Sequence, residues 1–572
     1  MVSTSDESTW KLDRPLLFLG DWCIDQSRRQ VWSNIDFQIL RPEFSDNELA
    51  DHFQTINFVY ESTISDLAIV LNDIHNCSYS KRYWSILIGP WLRLFCNQIM
   101  FRWAYLNNAI SHFEIEGAHA NSVSTGDNCR PRNWAEYQKM TTNVIWSQYI
   151  YSMLWKLICS DDQTYTNDRK LFLKDRNSTF GERIDSISKV HRRIVIADSY
   201  LPRRSEIYLS FLTRSPRIRV RRVPAPTEPF NSEFRDQLKF RLPAANELHA
   251  VIRELVIDQL PSAYLEGYTK LKDSVSKLGL VKQPKTIFTS NRHSYDDVFN
   301  IWAAQATESG SKYVIGQHGG HYGTAMYKSD AELHEQDIAD VHLTWGWGTY
   351  ANQVKGPCLK MVGMIERKSF SSGNLLVVCD LMFKHPRSLF YGITENSGYL
   401  EFVSECILKL SENVRSQVVV RLNHSHATSG NSQSDWWSIN APDIEVDEGQ
   451  GDFVSLRNLA KLVVTTFNGT TFLETLHLNI PTIVMWSDSY CKIRSEAKPY
   501  FEELKRVGIF HNSAESFSEF VSTKWSDIEL WWTSDDVQKV RLEFCDNYSR
   551  KEEEPLKFLK NILTSSNPAR LK

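Results

Sequence analysis

From residue 286 onward, short apolar runs alternate with longer segments of helical periodicity, and this alternation constrains the fold more than any other feature. The predicted strands lie at 286–290, 313–317, 341–347, 375–380, 417–423, 443–448, 462–467 and 481–486. The clearest predicted helices lie at 296–309, 400–411, 452–460 and 470–478. Strands that alternate with helices form parallel sheets, so the sequence predicts an α/β protein.

A polar joint, ERKSFSSGN at 366–374, interrupts the alternation, which then restarts. Two such series predict two Rossmann-like domains that face a cleft. We expect an N-terminal domain over residues 1–365 and a C-terminal domain over residues 366–572. Helical periodicity from about 61 to 160 predicts a helical insertion in the N-terminal half.

The composition excludes several classes of protein. A chain of 572 residues is too long for one core, and 42% apolar residues are ample for folding. The 65 basic and 69 acidic residues give a net charge of −4, so no global field favours nucleic acid. The ten cysteines include no CxxC pair, which indicates reduced thiols and neither a disulfide scaffold nor a zinc site.

Two segments bear on the membrane. The polar start, MVSTSDESTWKLDRP, is unlike a signal peptide. The apolar stretch 83–103 is interrupted by Gly89-Pro90, Arg93 and Asn97, so it predicts a buried helix behind a Gly-Pro turn. The arginine-rich segment at about 190–230 is either a basic face for an anionic acceptor or lipid surface, or ordinary solvated surface. We expect a soluble cytoplasmic protein, with peripheral contact to the inner face of the membrane left open.

Polar side chains concentrate at the predicted strand ends, which is where open parallel sheets bind ligands. They are Ser290, Asn291, Arg292, His293, Asp296 and Asp297; His318, Gly319, Gly320 and His321; Asn423, His424 and His426; and Asn468, Gly469, Thr470 and Thr471. A purely structural protein would have little reason for this concentration.

The segment VVTTFNGTTFLETLHLNIPTIVMW, residues 463–486, is the most informative of these. An apolar strand leads into Asn468-Gly469-Thr470-Thr471, which opens a helix. The N–H groups of that first turn and the two hydroxyls suit a monophosphate or diphosphate. Glu474 follows one turn later, where its carboxylate can accept both hydroxyls of a ribose. Alternatively, Thr470 only caps the helix and Glu474 is solvated.

The stretch YVIGQHGGHYGTAMY, residues 313–327, places His318 after Gln317 and before Gly319 and Gly320. Glycines allow another molecule to approach closely, and a histidine can bind a phosphate or move a proton. A turn that needs glycine, capped by its histidines, would give the same pattern.

Taken together, these segments resemble a family of bacterial surface-polysaccharide and O-antigen transferases, and more distantly the transferases of ulosonic acids such as Kdo. The matching pieces are FLGDWC (18–23), ILIGPWL (86–92), DDVFNIWAA (296–304), IGQHGGHYG (315–323), LTWGWG (343–348) and TTFNGTTFLETLHLNIPT (465–482). The last piece is also similar to the donor-nucleotide segment of GT-B glycosyltransferases. The resemblance implies a GT-B-like fold and glycosyl transfer in lipopolysaccharide or capsule assembly.

Glycosyl transfer needs a nucleotide cradle, a group that neutralises the leaving phosphate, and a base or nucleophile. We expect Asn468, Gly469, Thr470 and Thr471 to form the cradle and Glu474 to hold the ribose. Arg421 and His424 could neutralise phosphate, although Arg421 could equally be a surface ion pair. The candidate catalytic residues are His318, Asp296 and Asp297, with Asn291, Gln317, Gly319 and Gly320 as further substrate contacts. An aspartate that begins a helix is also a routine N-cap.

No DxD pattern follows a predicted strand and no His/Cys cluster has metal-ligand spacing. We therefore expect a metal-independent glycosyltransferase without a cofactor, whose nucleotide-sugar donor is a substrate and whose acceptor is a glycan or a lipid-linked molecule. Two alternatives stay open: a nucleotide-sugar epimerase on the same fold, and a non-catalytic nucleotide-sugar-binding partner in an assembly complex.

Overall fold

The computed structural model describes residues 1–25, 28–121, 129–159, 164–167, 194–215, 222–367, 373–392, 396–426, 429 and 433–565. The chain forms two compact units. The first unit comprises Met1–Ala197, Ser215–Tyr313 and Arg387–Leu389. The second unit comprises Asp198–Arg214, Val314–Pro386 and Phe390–Lys572. Parts of the arginine-rich segment, at 190–193 and 216–221, lie outside the described residues.

The described strands, in chain order, are β1 (Leu16–Phe18), β2 (Phe37–Ile39), β3 (Ala118–Asn121), β4 (Thr164–Asn167), β5 (Ile194–Ala197), β6 (Thr286–Thr289), β7 (Lys312–Gly316), β8 (Val341–Thr344), β9 (Gln353–Lys355), β10 (Leu375–Val378), β11 (Val418–Arg421), β12 (Glu445–Asp447), β13 (Leu462–Thr465), β14 (Thr482–Met485) and β15 (Phe510–His511).

The described α-helices are α1 (Arg29–Trp32), α2 (Asp46–Ile74), α3 (Lys81–His112), α4 (Trp134–Met140), α5 (Val144–Ile158), α6 (Arg203–Leu212), α7 (Ser232–Arg235), α8 (Glu247–Gln259), α9 (Tyr268–Ser274), α10 (Asp297–Glu308), α11 (Asp330–Ile338), α12 (Asn396–Leu408), α13 (Glu412–Arg415), α14 (Gln433–Asn440), α15 (Phe453–Leu459), α16 (Thr470–His477), α17 (Lys498–Arg506), α18 (Ala514–Lys524), α19 (Ile528–Thr533), α20 (Asp535–Tyr548) and α21 (Pro555–Thr564).

The first unit is largely helical, as the periodicity from about 61 to 160 predicted. Its core forms where α3 packs against α2 and α10. The parallel pairs β1–β2, β3–β4 and β5–β6 accompany these helices. The apolar run at residues 14–23 contains the short strand β1, which pairs with β2 and bridges Val2 at Phe18.

Helix α3 corrects one expectation. We predicted a turn at Gly89-Pro90. Instead, α3 is one helix of 32 residues that contains Pro90 in its interior. A proline in a helix interior removes one hydrogen bond and costs about 3 kcal/mol. Most of α3 is buried, and each large apolar side chain that leaves water contributes roughly 1.5–3 kcal/mol. The free energy gained by burying the apolar side chains of α3 therefore exceeds the cost of Pro90 in the helix.

The second unit holds the α/β organisation that the alternation predicted. Strands β7, β8 and β9 are parallel neighbours. The other sheet has six parallel strands in the order β12-β11-β10-β13-β14-β15. Counted from β10 this is the order 3-2-1-4-5-6, which is the Rossmann order. Each of β10, β11, β13 and β14 is buried along its whole length, as expected of strands with helices on both faces.

The domain limits that we expected, 1–365 and 366–572, stay a prediction, and the compact units have a boundary of their own. It falls inside β7, between Tyr313 and Val314, whereas the polar joint near residue 366 lies within the second unit. The loop after β7 and the six-stranded sheet therefore belong to one compact unit.

Candidate functional site

The carboxyl edge of the six-stranded sheet collects most of the predicted binding residues. From β10 the chain moves outward to β11 and β12, and it then returns to β13 on the other side of β10. Ligands of open parallel sheets bind at such a reversal, beyond the carboxyl ends of the strands. The residues that come after β10 and β13 therefore form the candidate site.

The turn between β13 and α16 has the form that the sequence predicted. Helix α16 begins at Thr470, with Gly469 at its N-cap and no side chain capping it. A Cβ on Gly469 would lie 2.2 Å from the Phe467 ring, so a larger residue here would have to displace that ring. Thr470 and Thr471 are partly exposed, and their hydroxyls hydrogen-bond to no other described residue. N–H groups and hydroxyls in this arrangement can bind an anion.

The glycine-rich loop after β7 lies directly against this turn. A Cβ on Gly320 would lie 2.4 Å from both the carbonyl carbon of Gly469 and the nitrogen of Thr470. A Cβ on Gly319 would lie 2.5 Å from the Tyr322 ring. We expected both glycines to make room for substrate. In the structure they make room for the chain's own backbone and ring, because any side chain would collide with them.

Further bonds tie this loop to the C-terminal part of the second unit. The Thr324 hydroxyl lies 3.0 Å from the side-chain oxygen of Asn468. Ala325 forms an isolated antiparallel bridge with Ile493, and the Arg494 N–H donates to the Thr324 carbonyl at 2.8 Å. Asn468, expected to contact substrate, thus uses its oxygen to hold the two loops together.

The acidic sequence DAELHEQDIAD, residues 330–340, indicates a solvated helix, but helix α11 in this segment is largely buried. Glu332, His334 and Glu335 are all buried on it. Arg494 donates to Glu332 at 3.0 Å, and this charge opposes the rise that burial causes in the pKa of the Glu332 carboxyl. The sequence of α11 does not indicate this burial, because Arg494, the partner of Glu332, lies far along the chain.

His318 lies beside the other buried carboxylate of α11. Its Nδ1 is 2.5 Å from Oε1 of Glu335, and the Tyr322 hydroxyl donates to the same oxygen at 2.9 Å. Nε2 of His342 lies 3.4 Å from the second oxygen, Oε2. The His318 side chain is 22% exposed, whereas Glu335 is fully buried. A carboxylate at Nδ1 favours the tautomer in which Nε2 can accept a proton, as in base–carboxylate pairs of many hydrolases.

Gln317 fixes the loop that carries this histidine. Its side-chain amide donates to the Gly319 carbonyl at 2.7 Å. Its side-chain oxygen accepts from the Trp345 N–H at 2.9 Å and from the Trp347 indole at 2.8 Å. We expected Gln317 to contact substrate. Fully buried and bonded in this way, it positions His318 instead.

Tyr200 was not expected at the site. Its ring lies 6.1 Å from the His318 ring, centroid to centroid, in an edge-to-face arrangement. Burial, reinforced by the charges of Glu335 and Glu474, raises the pKa of its hydroxyl to about 12. Its φ of 62° is in the left-handed region, which a bulky residue rarely adopts outside functional sites. No sequence pattern marks this strain, so the residue could not have been found from the sequence.

Asp380 is a second residue that was not expected at the site, although it ends the predicted strand LLVVCD. Its N–H donates to the Tyr399 hydroxyl at 2.9 Å, and that hydroxyl also bonds to Thr466 at the end of β13. Burial raises the pKa of the Asp380 carboxyl to about 7. Asp380, like Asn468, is a polar residue at the end of a predicted strand, so the same criterion could have identified it from the sequence.

Arg421 and His424 lie at and after the end of β11. The Arg421 guanidinium donates to Asp447 at 2.7 Å and to the carbonyls of Gly449 and Gly451 at 3.0 and 2.9 Å. It therefore organises the loop after β12, which differs from the phosphate contact that we expected. His424 is exposed, so its side chain is accessible to a ligand.

Glu474 also has partners within the protein. Lys360 bonds to its Oε1, and the buried Arg457 lies 3.3 Å from its Oε2. The expected ribose contact would have to use the remaining lone pairs of these oxygens. Glu474 thus anchors α16 to α15, and its contact with ribose stays a prediction.

The remaining expected residues belong to the first unit. Asp296 is the N-cap of α10, accepting from the Phe299 N–H at 3.0 Å, and pairs with Arg292 at 2.6 Å. Asp297 accepts from the Tyr264 hydroxyl at 2.6 Å and from the Trp134 N–H at 3.1 Å.

Burial raises the pKa of Asp297 to about 7. Asn291 accepts from the Ser294 hydroxyl at 2.7 Å. These contacts give all three residues a role in holding loops, and the structure does not bring them into the unit that contains His318.

The sequence profile of the LIC12162 family transferases matches residues 1–563. The chain therefore belongs to this family and is a transferase. No curated protein matches it significantly. Among the described residues, no helix combines the length and the apolar character that crossing a bilayer requires.

Three solved structures resemble the chain weakly. MurG of Acinetobacter baumannii is 10% identical with a TM-score of 0.31, and the match covers 65% of this chain and 99% of MurG. WaaG, a glycosyltransferase involved in lipopolysaccharide biosynthesis, is 11% identical with a TM-score of 0.29, and the match covers 65% of this chain and 100% of WaaG. The spinosyn rhamnosyltransferase SpnG, in complex with spinosyn aglycone, is 11% identical with a TM-score of 0.30, and the match covers 65% of this chain and 99% of SpnG. At these TM-scores the likeness assigns neither a substrate nor a site residue to this chain.

Proposed function

We propose that the protein is a metal-independent glycosyltransferase that moves a sugar from a nucleotide-activated donor to a glycan or lipid-linked acceptor. The proposed setting is the assembly of bacterial surface polysaccharide, either O-antigen or capsule. The observation that carries this proposal is the contact between Gly320 and the Gly469–Thr470 peptide. The contact joins the loop that bears His318, which pairs with Glu335, to the start of α16, and both belong to one compact unit.

The donor phosphate would lie at the start of α16. The N–H groups of the first turn and the hydroxyls of Thr470 and Thr471 would stabilise the negative charge that grows on the leaving phosphate. The Asp380 carboxyl, with a pKa of about 7, is partly protonated at neutral pH and so repels an anion less than an ordinary aspartate would.

The acceptor hydroxyl would lie at Nε2 of His318. That nitrogen would take the hydroxyl proton as the oxygen attacks the anomeric carbon and the bond to the nucleotide phosphate breaks. Glu335 would hold the imidazole in the required tautomer and stabilise the imidazolium that forms. Tyr200 would pack against the imidazole and limit its rotation.

Two measurements test the proposal. A thermal-shift screen of CMP, UDP, GDP and dTDP should identify one that raises the melting temperature, since a ligand that binds only the folded state stabilises it. Donor turnover is then measured with and without candidate acceptors. Transfer that requires an acceptor supports the proposal. Isomerisation of the donor sugar without an acceptor would identify an epimerase, and binding without turnover would identify a non-catalytic partner.

A further inference from the structure

Helix α6 exposes a continuous apolar face. Ile207, Tyr208 and Phe211 are 47%, 55% and 77% exposed, although they are large apolar or aromatic side chains. At 100° per residue these three positions and Arg204 fall within about 100° of arc on one side of the helix. The opposite side, with Leu209 and Ser210, is buried, and α6 packs against α21.

The loop next to this helix also exposes apolar side chains. The Ser205 hydroxyl donates to the Val362 carbonyl at 3.4 Å, which places this loop against α6. Met364 and Ile365, in the same loop, are exposed. Exposed apolar side chains that share one side of a helix, as Ile207, Tyr208 and Phe211 do, mark interaction surfaces.

Arginines lie at both ends of the apolar face. Arg203 and Arg204 begin the helix and Arg214 follows its end, and all three are exposed. None of these guanidiniums forms an ion pair with another residue of the described ranges. We define Arg203, Arg204, Ile207, Tyr208, Phe211 and Arg214 as the α6 face.

We propose that the α6 face docks the protein onto an anionic lipid surface. Aromatic and aliphatic side chains with arginines around them suit the interface of a bilayer, where the rings enter the headgroup boundary and the guanidiniums meet lipid phosphates. Each arginine near such a surface raises the affinity roughly fivefold. The charge complementarity favours anionic lipid over an apolar protein partner.

The α6 face lies near the candidate base in the sequence, and the role that we assign to docking rests on the proposed function. Tyr200, whose ring packs on His318, precedes the first residue of α6 by only three positions. The ten residues of α6 span about 15 Å. Docking would therefore hold the candidate base close to the bilayer surface, where a lipid-linked acceptor presents its reacting hydroxyl.

Sedimentation with vesicles tests the proposal. The full chain is mixed, without nucleotide or acceptor, with phosphatidylglycerol vesicles and separately with phosphatidylcholine vesicles. We expect binding to the anionic vesicles only, weakened by salt. The double variant Arg203→Glu/Arg204→Glu and the triple variant Ile207→Ser/Tyr208→Ser/Phe211→Ser should each bind at least about tenfold more weakly.

Matched controls change the same chemistry elsewhere on the second unit. Lys524→Glu/Lys539→Glu alters two exposed cations, and Leu530→Ser/Leu542→Ser alters two exposed leucines. Both should bind vesicles like the wild type. Melting temperatures show that every variant is folded.

Three results would overturn the proposal: no binding of the wild type to anionic vesicles, face variants that bind as well as the controls, or a wild-type dimer that the face variants dissociate in analytical ultracentrifugation. The last result would make the α6 face a contact between two copies of the chain. The test is independent of turnover. Vesicle binding without transfer would reject only the proposed function, and transfer to a water-soluble acceptor without vesicle binding would reject only the docking face.

Discussion

The Thr324 hydroxyl lies 3.0 Å from the side-chain oxygen of Asn468, and this bond ties the loop after β7 to the turn before α16. Thr324→Val keeps the shape of the side chain and removes the bond, so we expect a loss of about 1 kcal/mol in unfolding free energy. Nucleotide affinity should fall as well, because the turn is less well held. Calorimetry measures both quantities. Thr475→Val, which removes a bond within α16 itself, is the control and should leave affinity unchanged.

Thr470→Ala/Thr471→Ala tests the phosphate cradle. Neither hydroxyl caps α16 or bonds to another described residue, so the melting temperature should hardly change. Nucleotide binding should weaken by about 2–4 kcal/mol, since two hydrogen bonds to a charged group are lost. Thr564→Ala, which removes an exposed helix hydroxyl in α21, is the control. Wild-type nucleotide affinity in the folded double variant would remove the cradle from the proposal.

His318→Ala should lower the transfer rate by roughly 10²–10⁴, the usual contribution of a positioned base. Nucleotide affinity should hardly change, because the cradle uses other residues. His321→Ala is the matched control, since burial lowers the pKa of His321 to about 4 and its Nε2 bonds to Ser329 at 2.8 Å. The control should affect stability more than rate. Transfer at the wild-type rate by His318→Ala would refute the assignment.

Asp380→Asn tests the partly buried carboxyl that follows β10. Its pKa rises from 3.8 to about 7 on folding, so the folded chain binds more protons than the unfolded chain between these values. This contribution to stability is present at low pH and is lost as the pH rises through 7. The variant cannot titrate there, so it should lose less unfolding free energy than the wild type between pH 4.5 and 8. Denaturant titrations at several pH values measure the difference.

The exposed Asp546 supplies the control for this experiment. Asp546→Asn should follow the wild-type dependence on pH, since its side chain is 74% exposed. Equal slopes for Asp380→Asn and the wild type would show that burial does not perturb Asp380.

Glu474→Gln separates the two roles of this carboxylate. It leaves the buried Arg457 without a charged partner, so we expect a loss on the order of 2 kcal/mol in unfolding free energy. If the carboxylate also accepts ribose hydroxyls, ribonucleotides should lose more affinity than their 2′-deoxy counterparts. Lys360→Ala, at the half-exposed end of the cluster, should cost under about 1 kcal/mol. Equal losses for both nucleotides would leave Glu474 a structural role alone.

The sequence was sufficient for β10 to β14 of the second unit, whereas β9 and β15 were not predicted. Strands such as β10 and β13 are short apolar runs between helices, and α16 begins at Thr470 as the Asn-Gly-Thr-Thr pattern indicated. Periodicity and glycine chemistry are local properties, so one sequence reveals them. The same local rule failed at Pro90, where the burial of a whole helix decides the outcome.

The partners of the candidate site could not be predicted, because they come from distant parts of the chain. His318 was selected from its glycines, but Glu335 lies in an acidic run that indicates a solvated helix. Arg421 and Gln317 have the chemistry of ligand contacts, and only the structure shows the loops that they hold. Tyr200 has a backbone φ of 62°, and no sequence pattern predicts this conformation at a tyrosine.

The missing side chain at Gly320 has a consequence for the timing of catalysis. The α-carbon of Gly320 lies against the Gly469–Thr470 peptide. The loop that bears His318 therefore cannot move toward α16, and a larger residue at position 320 would displace that peptide. If His318 is the base and the start of α16 binds phosphate, as proposed, the spacing between them is set when the chain folds, before any substrate arrives. A preset spacing removes part of the entropic barrier that two separately mobile loops would face at each turnover.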